Sequence, residues 1–148
     1  MSLIVVGLDG SQQSERALGW ALQHGAARSL AVQAVTVVNT KNLDHRSREA
    51  RLAEAERSVS AMVERAVDAC CCAPTVTYEV VEGDPSIALV DATQRAELVV
   101  LGSHPMSSLR NAALGTVTLA CIRLGSCPVL VIPVDAPNAA PCSDLVPV

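Results

Sequence analysis

With 148 residues, a net charge of −4 and half of its residues hydrophobic, the chain has the length of one domain around one core and lacks the basic stripe that nucleic-acid binding needs. Aromatic residues make up 1% of it, which removes the stacking platform of single-strand readers as well. No run approaches the roughly 18 apolar residues of a membrane span, and the first eight residues carry no basic flank of a signal peptide, so a cytoplasmic protein without membrane contact is expected.

The chain opens on the apolar run Leu3-Ile4-Val5-Val6-Gly7-Leu8, read as a buried strand, which exits through Asp9-Gly10-Ser11. Ala17, Leu18, Ala21, Leu22, Gly25 and Ala26 then recur at helical spacing, with Ser11 placed to cap the helix and Glu15 adding negative charge near its first turn. Trp20 lies beside that stripe and is expected to pack. Ala31 to Val38 predicts a second strand, bounded by the polar run Asn39 to His45. From Arg46 to Cys70 the period is helical again, with Leu52, Ala55, Val59, Met62, Val63, Ala66 and Cys70 on one face and Pro74 ending it. Thr75 to Glu82 is β-rich, and Gly83-Asp84-Pro85 reads as a strand stop, a helix cap and a proline at the first helical position. That third helix is expected to run to about Ala96.

Leu98-Val99-Val100-Leu101 stops at Gly102-Ser103, and after a polar loop Gly115-Thr116 leads into a helix carrying Val117, Leu119, Ala120, Ile122 and Leu124. Cys127-Pro128-Val129-Leu130-Val131-Ile132-Pro133 supplies a last strand. A helix start preceded by glycine offers free N–H groups and the positive end of the helix dipole to an anion, and Thr116 adds a hydroxyl donor. Residues 134–148 carry Pro137, Pro141 and Pro147 without periodicity and are expected to form a loosely held tail to a domain of residues 1–133. Strict alternation of strand and helix predicts an α/β fold with a five-stranded parallel sheet and helices on both faces. A ligand crevice then belongs at the carboxyl ends of the strands, where Gly7-Leu8-Asp9-Gly10 and Leu101-Gly102-Ser103 make the least bulky exits.

Several chemistries lack their residues. Lys41 is the only lysine, and neither a Walker-type loop nor G-x-G-x-x-G, G-x-S-x-G or H-E-x-x-H occurs. His24, His45 and His104 have no metal-ligand spacing. Cys70-Cys71-Cys72, Cys121, Cys127 and Cys142 show no C-x-x-C pattern, so reduced thiols and no protein-ligated metal are expected.

Val6-Gly7-Leu8-Asp9-Gly10-Ser11, Gly83-Asp84-Pro85, Leu98 to Ser103, and Gly115-Thr116 before Cys127-Pro128-Val129-Leu130-Val131 resemble the universal stress protein family in order and spacing. The resemblance implies an adenine-nucleotide alpha-hydrolase-like, Rossmann-like fold. It implies adenine and ribose near Gly7, Leu8, Asp9 and Val37, phosphates by Gly102, His104, Gly115, Thr116 and Val117, and Leu101 as a further cofactor-binding residue. Its cofactor would be ATP or AMP, with Mg accompanying ATP, and its partner a second copy joined through the Val129–Ile132 strand. Two readings stay open. ATP-binding members carry G-x-x-G-x9-G-[S/T], and Pro105, which has no N–H, stands here at the second glycine. The chain is then either a regulatory protein that binds an adenine nucleotide, at most a weak ATPase, or a dimeric stress-response interaction protein with an empty pocket. Asp9 and Gly115-Thr116 also read simply as a turn residue and a helix start, and His104 as a solvated loop histidine.

Overall fold

We describe residues 2–103 and 115–133 from a computed structural model of the chain. The expectations for His104, Pro105 and residues 134–148 fall outside the described residues.

Nine elements alternate: β1 (Leu3–Gly7), α1 (Gln12–Arg28), β2 (Ala31–Val38), α2 (His45–Ala69), β3 (Val76–Glu82), α3 (Pro85–Ala92), β4 (Leu98–Gly102), α4 (Thr116–Leu124) and β5 (Val129–Ile132). Three of the helices begin where a short polar side chain can bond the orphan N–H groups of a first turn. Ser11 accepts from the Ser14 N–H at 3.1 Å, Asp44 from the Ser47 N–H at 2.7 Å, and Asp84 from the Ser86 and Ile87 N–H groups at 2.8 and 3.2 Å. Asp44 sits inside the stretch read above as polar loop, so α2 starts one residue earlier than its periodicity suggests.

The expected reach of α3 to Ala96 is corrected: the helix stops at Ala92. Thr93 is buried, donates its hydroxyl to the Val90 carbonyl at 2.6 Å and accepts the Ser126 N–H at 2.8 Å. Beyond it, Gln94 and Arg95 donate to Asp91 and Ala92 in tight three-residue turns.

The five strands form one parallel sheet in the order β3-β2-β1-β4-β5. Side-chain alternation divides the core into two layers. Ile4, Val6, Val32, Ala34 and Val100 pack under α1 and α2 with Leu18, Leu22, Val59 and Met62. Val5, Val35, Val99 and Leu101 pack under α3 and α4 with Leu89, Ala92 and Cys121. Each fully buried leucine or isoleucine here contributes about 1.5–3 kcal/mol relative to an exposed one. Trp20 packs against the first layer and stacks on His24, with ring centroids 4.7 Å apart.

In α4 the apolar residues that announce the helix are largely not its buried ones. Thr118 and Cys121 face inward, whereas Leu119, Ile122 and Leu124 are exposed by 40%, 51% and 71%. No described helix is long and apolar enough to cross a membrane.

Candidate functional site

From β1 the chain winds outward through β2 and β3, then returns to lay β4 on the opposite side of β1. The winding direction therefore reverses between β1 and β4, and their carboxyl ends diverge to leave a crevice. A cavity of about 370 Å³ occupies that place. Gly7, Leu8 and Asp9 come to it from the end of β1, Val37 from β2, Leu101 and Gly102 from β4, and Gly115, Thr116 and Val117 from the start of α4. These are the described members of the set read from the sequence, gathered on one wall system; His104 is outside the described residues.

Sequence reasoning missed Ser14, Val35, Pro85, Leu89 and Thr118, which also line the cavity. Val35 could have been found by counting two residues back from Val37 on the same strand face, and Ser14 by its place one turn beyond Asp9 and Ser11. Pro85 and Leu89 carry no such signal, because only the packing of α3 brings them to the site. Val37 and Asp9 also edge a second cavity of about 400 Å³ between β2 and α2, which Arg51 and Met62 line.

The floor is tight. A Cβ on Gly7 would meet Leu101 Cδ2 at 2.7 Å and Leu89 Cδ1 at 3.0 Å. Gly102 has a different reason to be glycine: a Cβ there would meet the backbone of Gln13 at 2.6 Å, where the first turn of α1 rests on β4. Gly10 adopts φ +83°, which a side chain disfavours, and so lets the chain turn from β1 into α1. Asp9 Oδ1 accepts the Ser11 N–H at 2.9 Å. Its turn role is therefore real, and the residue also lines the cavity.

The electrostatics of the site rest on backbone. No lysine or arginine is among the described lining residues. Gly115, the residue preceding α4, makes no side-chain cap, whereas Ser11, Asp44 and Asp84 cap the other three helices. The first intrahelical bond of α4 runs from the Leu119 N–H to the Gly115 carbonyl, so the N–H groups of Thr116, Val117 and Thr118 lie ahead of it at the cavity wall. Such a cluster attracts negative charge. Further along α4, burial first and then the nearby Cys127 push the Cys121 thiol up, so the helix offers no ready thiolate. Among the described residues no group of three or more His, Cys, Asp or Glu side chains converges as a metal site.

The sequence model of the universal stress protein family matches residues 1–133. Universal stress protein Rv2005c of Mycobacterium tuberculosis is 30% identical over 141 residues, covering 89% of this chain and 48% of the relative. The chain thus spans about half the length of the curated relatives it matches. Among solved structures, a universal stress protein in complex with cAMP superimposes with a TM-score of 0.61 at 28% identity, over 89% of this chain and 96% of the other. The Archaeoglobus fulgidus universal stress protein in complex with dAMP gives a TM-score of 0.65 over 89% and 97% of the two chains, and at 19% identity it supports the fold alone.

Proposed function

Because the chain belongs to the universal stress protein family, we propose that it is a cytoplasmic regulatory module that binds an adenine nucleotide in the cavity between β1 and β4. The observation that carries this reading is the pairing, in one cavity, of the uncapped start of α4 with Asp9, whose side chain carries a carboxylate. The free N–H groups of the first suit a phosphate, and the second accepts from a ribose hydroxyl. Leu8, Val35, Val37 and Leu89 give the apolar remainder on which a purine can lie. The solved relative bound to cAMP supports the same ligand class. On this reading the protein senses or holds a nucleotide and turns over none, or does so only slowly.

The ligand set on this reading is ATP, with Mg, or AMP. Calorimetric titration of AMP, cAMP and ATP with Mg into the purified protein tests it. Saturable binding of at least one is expected; no heat and no rise in melting temperature with any of them would overturn it. Pro105 favours a second reading, an interaction protein with an empty pocket, because it removes a backbone donor from the phosphate loop. Pro105→Gly is then expected to create or tighten binding, and unchanged titrations would remove the case for that second reading. In either reading the partner is a second copy of the chain, joined through β5.

A further inference from the structure

We infer that the second cavity, between β2 and α2, extends the nucleotide site and takes a second ribose, so that the preferred ligand is an adenosine 5′-diphosphate bearing a further sugar; the inference rests on the nucleotide reading above. The two cavities, of about 370 and about 400 Å³, share Leu8, Asp9 and Val37. A mononucleotide with its purine on the apolar wall, a ribose hydroxyl on Asp9 and its phosphate at the start of α4 uses the first cavity alone. Base and sugar are then engaged, and the free end of the ligand is its phosphate. Asp9 and Thr116 line the same cavity, so a group carried on a diphosphate has a short path from the start of α4 back to the junction of the two cavities.

The way α2 is mounted creates the second cavity. The helix runs from His45 to Ala69, yet its buried residues, Val59, Met62 and Val63, all lie in its second half. Its first half therefore reaches past the apolar core, and polar contacts hold it in place. Arg48 donates to both carboxylate oxygens of Glu82, the last residue of β3, at 2.5 and 2.7 Å. Arg51 donates from Nη1 to the Asn39 carbonyl at 3.1 Å, just past the end of β2. A wall fixed before the ligand arrives spares the ligand the cost of ordering it. Arg51, Glu54 and Ser58 reach the cavity from this half of α2, with Val59 and Met62 below them along the same helix face. The charges decide the class of guest. Asp9 and Glu54 set two carboxylates against one guanidinium among the described lining residues, which disfavours a second phosphate and favours an uncharged group that donates hydrogen bonds. The hydroxyls of a ribose donate to carboxylates and accept from Arg51, and Ser58 can do either. Apolar Val59 and Met62 suit the carbon face of the same sugar.

Calorimetric titration of ADP and of ADP-ribose into wild type and into a Glu54→Ala, Ser58→Ala double variant tests this. Both residues are exposed on α2, so the substitutions leave the packed core intact. Wild type is expected to bind ADP-ribose about tenfold more tightly than ADP, the worth of one or two added hydrogen bonds. The double variant is expected to lose that preference while its ADP affinity stays within about twofold of wild type. ADP-ribose that binds wild type no more tightly than ADP would overturn the assignment. So would a variant that keeps the preference, or one that weakens both ligands alike, which is the pattern of a merely structural role for α2. Wild type that binds neither ligand would refute the nucleotide reading itself, and this differs from failure of the second cavity, in which ADP still binds.

Discussion

A methyl group added at Gly102 would strike the Gln13 backbone, whereas one added at Gly7 would strike only the flexible ends of Leu101 and Leu89. The two glycines should therefore separate stability from binding. Gly102→Ala must displace the first turn of α1 and is expected to lose roughly 1–3 kcal/mol. Gly7→Ala is expected to lose less, about 1 kcal/mol, while the narrowed floor weakens nucleotide binding about tenfold or more. Thermal unfolding and titration of both variants check this, and a Gly102→Ala protein as stable as wild type would show that α1 does not rest on β4 as described. His24 gives a pH signature of its own. Burial first, then the neighbouring Arg28, hold its pKa below the ordinary 6.5. As the pH falls below that value the unfolded chain takes up a proton that the folded chain resists, so this group removes stability in the window just under it. The fall in melting temperature between about pH 7 and about pH 5.5 is expected to be shallower in His24→Gln than in wild type, and parallel slopes would remove His24 from the pH response.

A helix start can be closed by a side-chain cap or left open to an anion, and α4 alone among the described helices has no side-chain cap. Aspartate is among the best caps, and Gly115 has φ −67° and ψ 169°, which any residue adopts. Gly115→Asp is therefore expected to keep or raise the melting temperature while abolishing binding of an anionic nucleotide, because the new carboxylate takes the N–H groups and repels the phosphate. Undiminished affinity in the folded variant would sink the phosphate assignment at α4. That glycine was legible in the sequence, as were the runs of β1, β2 and β5 and the caps Ser11 and Asp84, since each is set by residues adjacent in the chain. The end of α3 was not, because it depends on Thr93 receiving the Ser126 N–H from far along the sequence. The buried face of α4 was not legible either: apolar residues outnumber its inward positions, and packing against α3 and the sheet selects Thr118 and Cys121. Pro85 and Leu89 entered the cavity wall by the same route.

Among the described residues the two outer strands of the sheet, β3 and β5, differ in what they carry. β3 presents Glu79 and Glu82, and Glu82 is held by Arg48 and Thr40, the kind of charged edge that discourages further strand pairing. β5 carries no charge from Val129 to Ile132, and its first three residues are half-buried in the isolated chain. Beside it, α4 turns Leu119 and Ile122 outward, so an uncharged outer strand and an exposed apolar helix face lie on neighbouring elements. A second copy related by a two-fold axis could pair its own β5 antiparallel to this one, satisfying the open N–H and C=O groups of both, and would bring the matching surface of its α4 to the same border. On this reading the chain is a dimer at micromolar concentration. Val131→Lys then places an unpaired charge in the interface at a cost of about 4 kcal/mol, roughly a thousandfold in dissociation constant, and yields a monomer. Ile122→Asp tests the helix face separately and should weaken the dimer without touching the strand edge. Sedimentation equilibrium reads all three proteins: a monomeric wild type, or a Val131→Lys protein that remains dimeric, would refute pairing through β5, whereas loss of dimer in Val131→Lys with a melting temperature near that of wild type would place the contact on this edge.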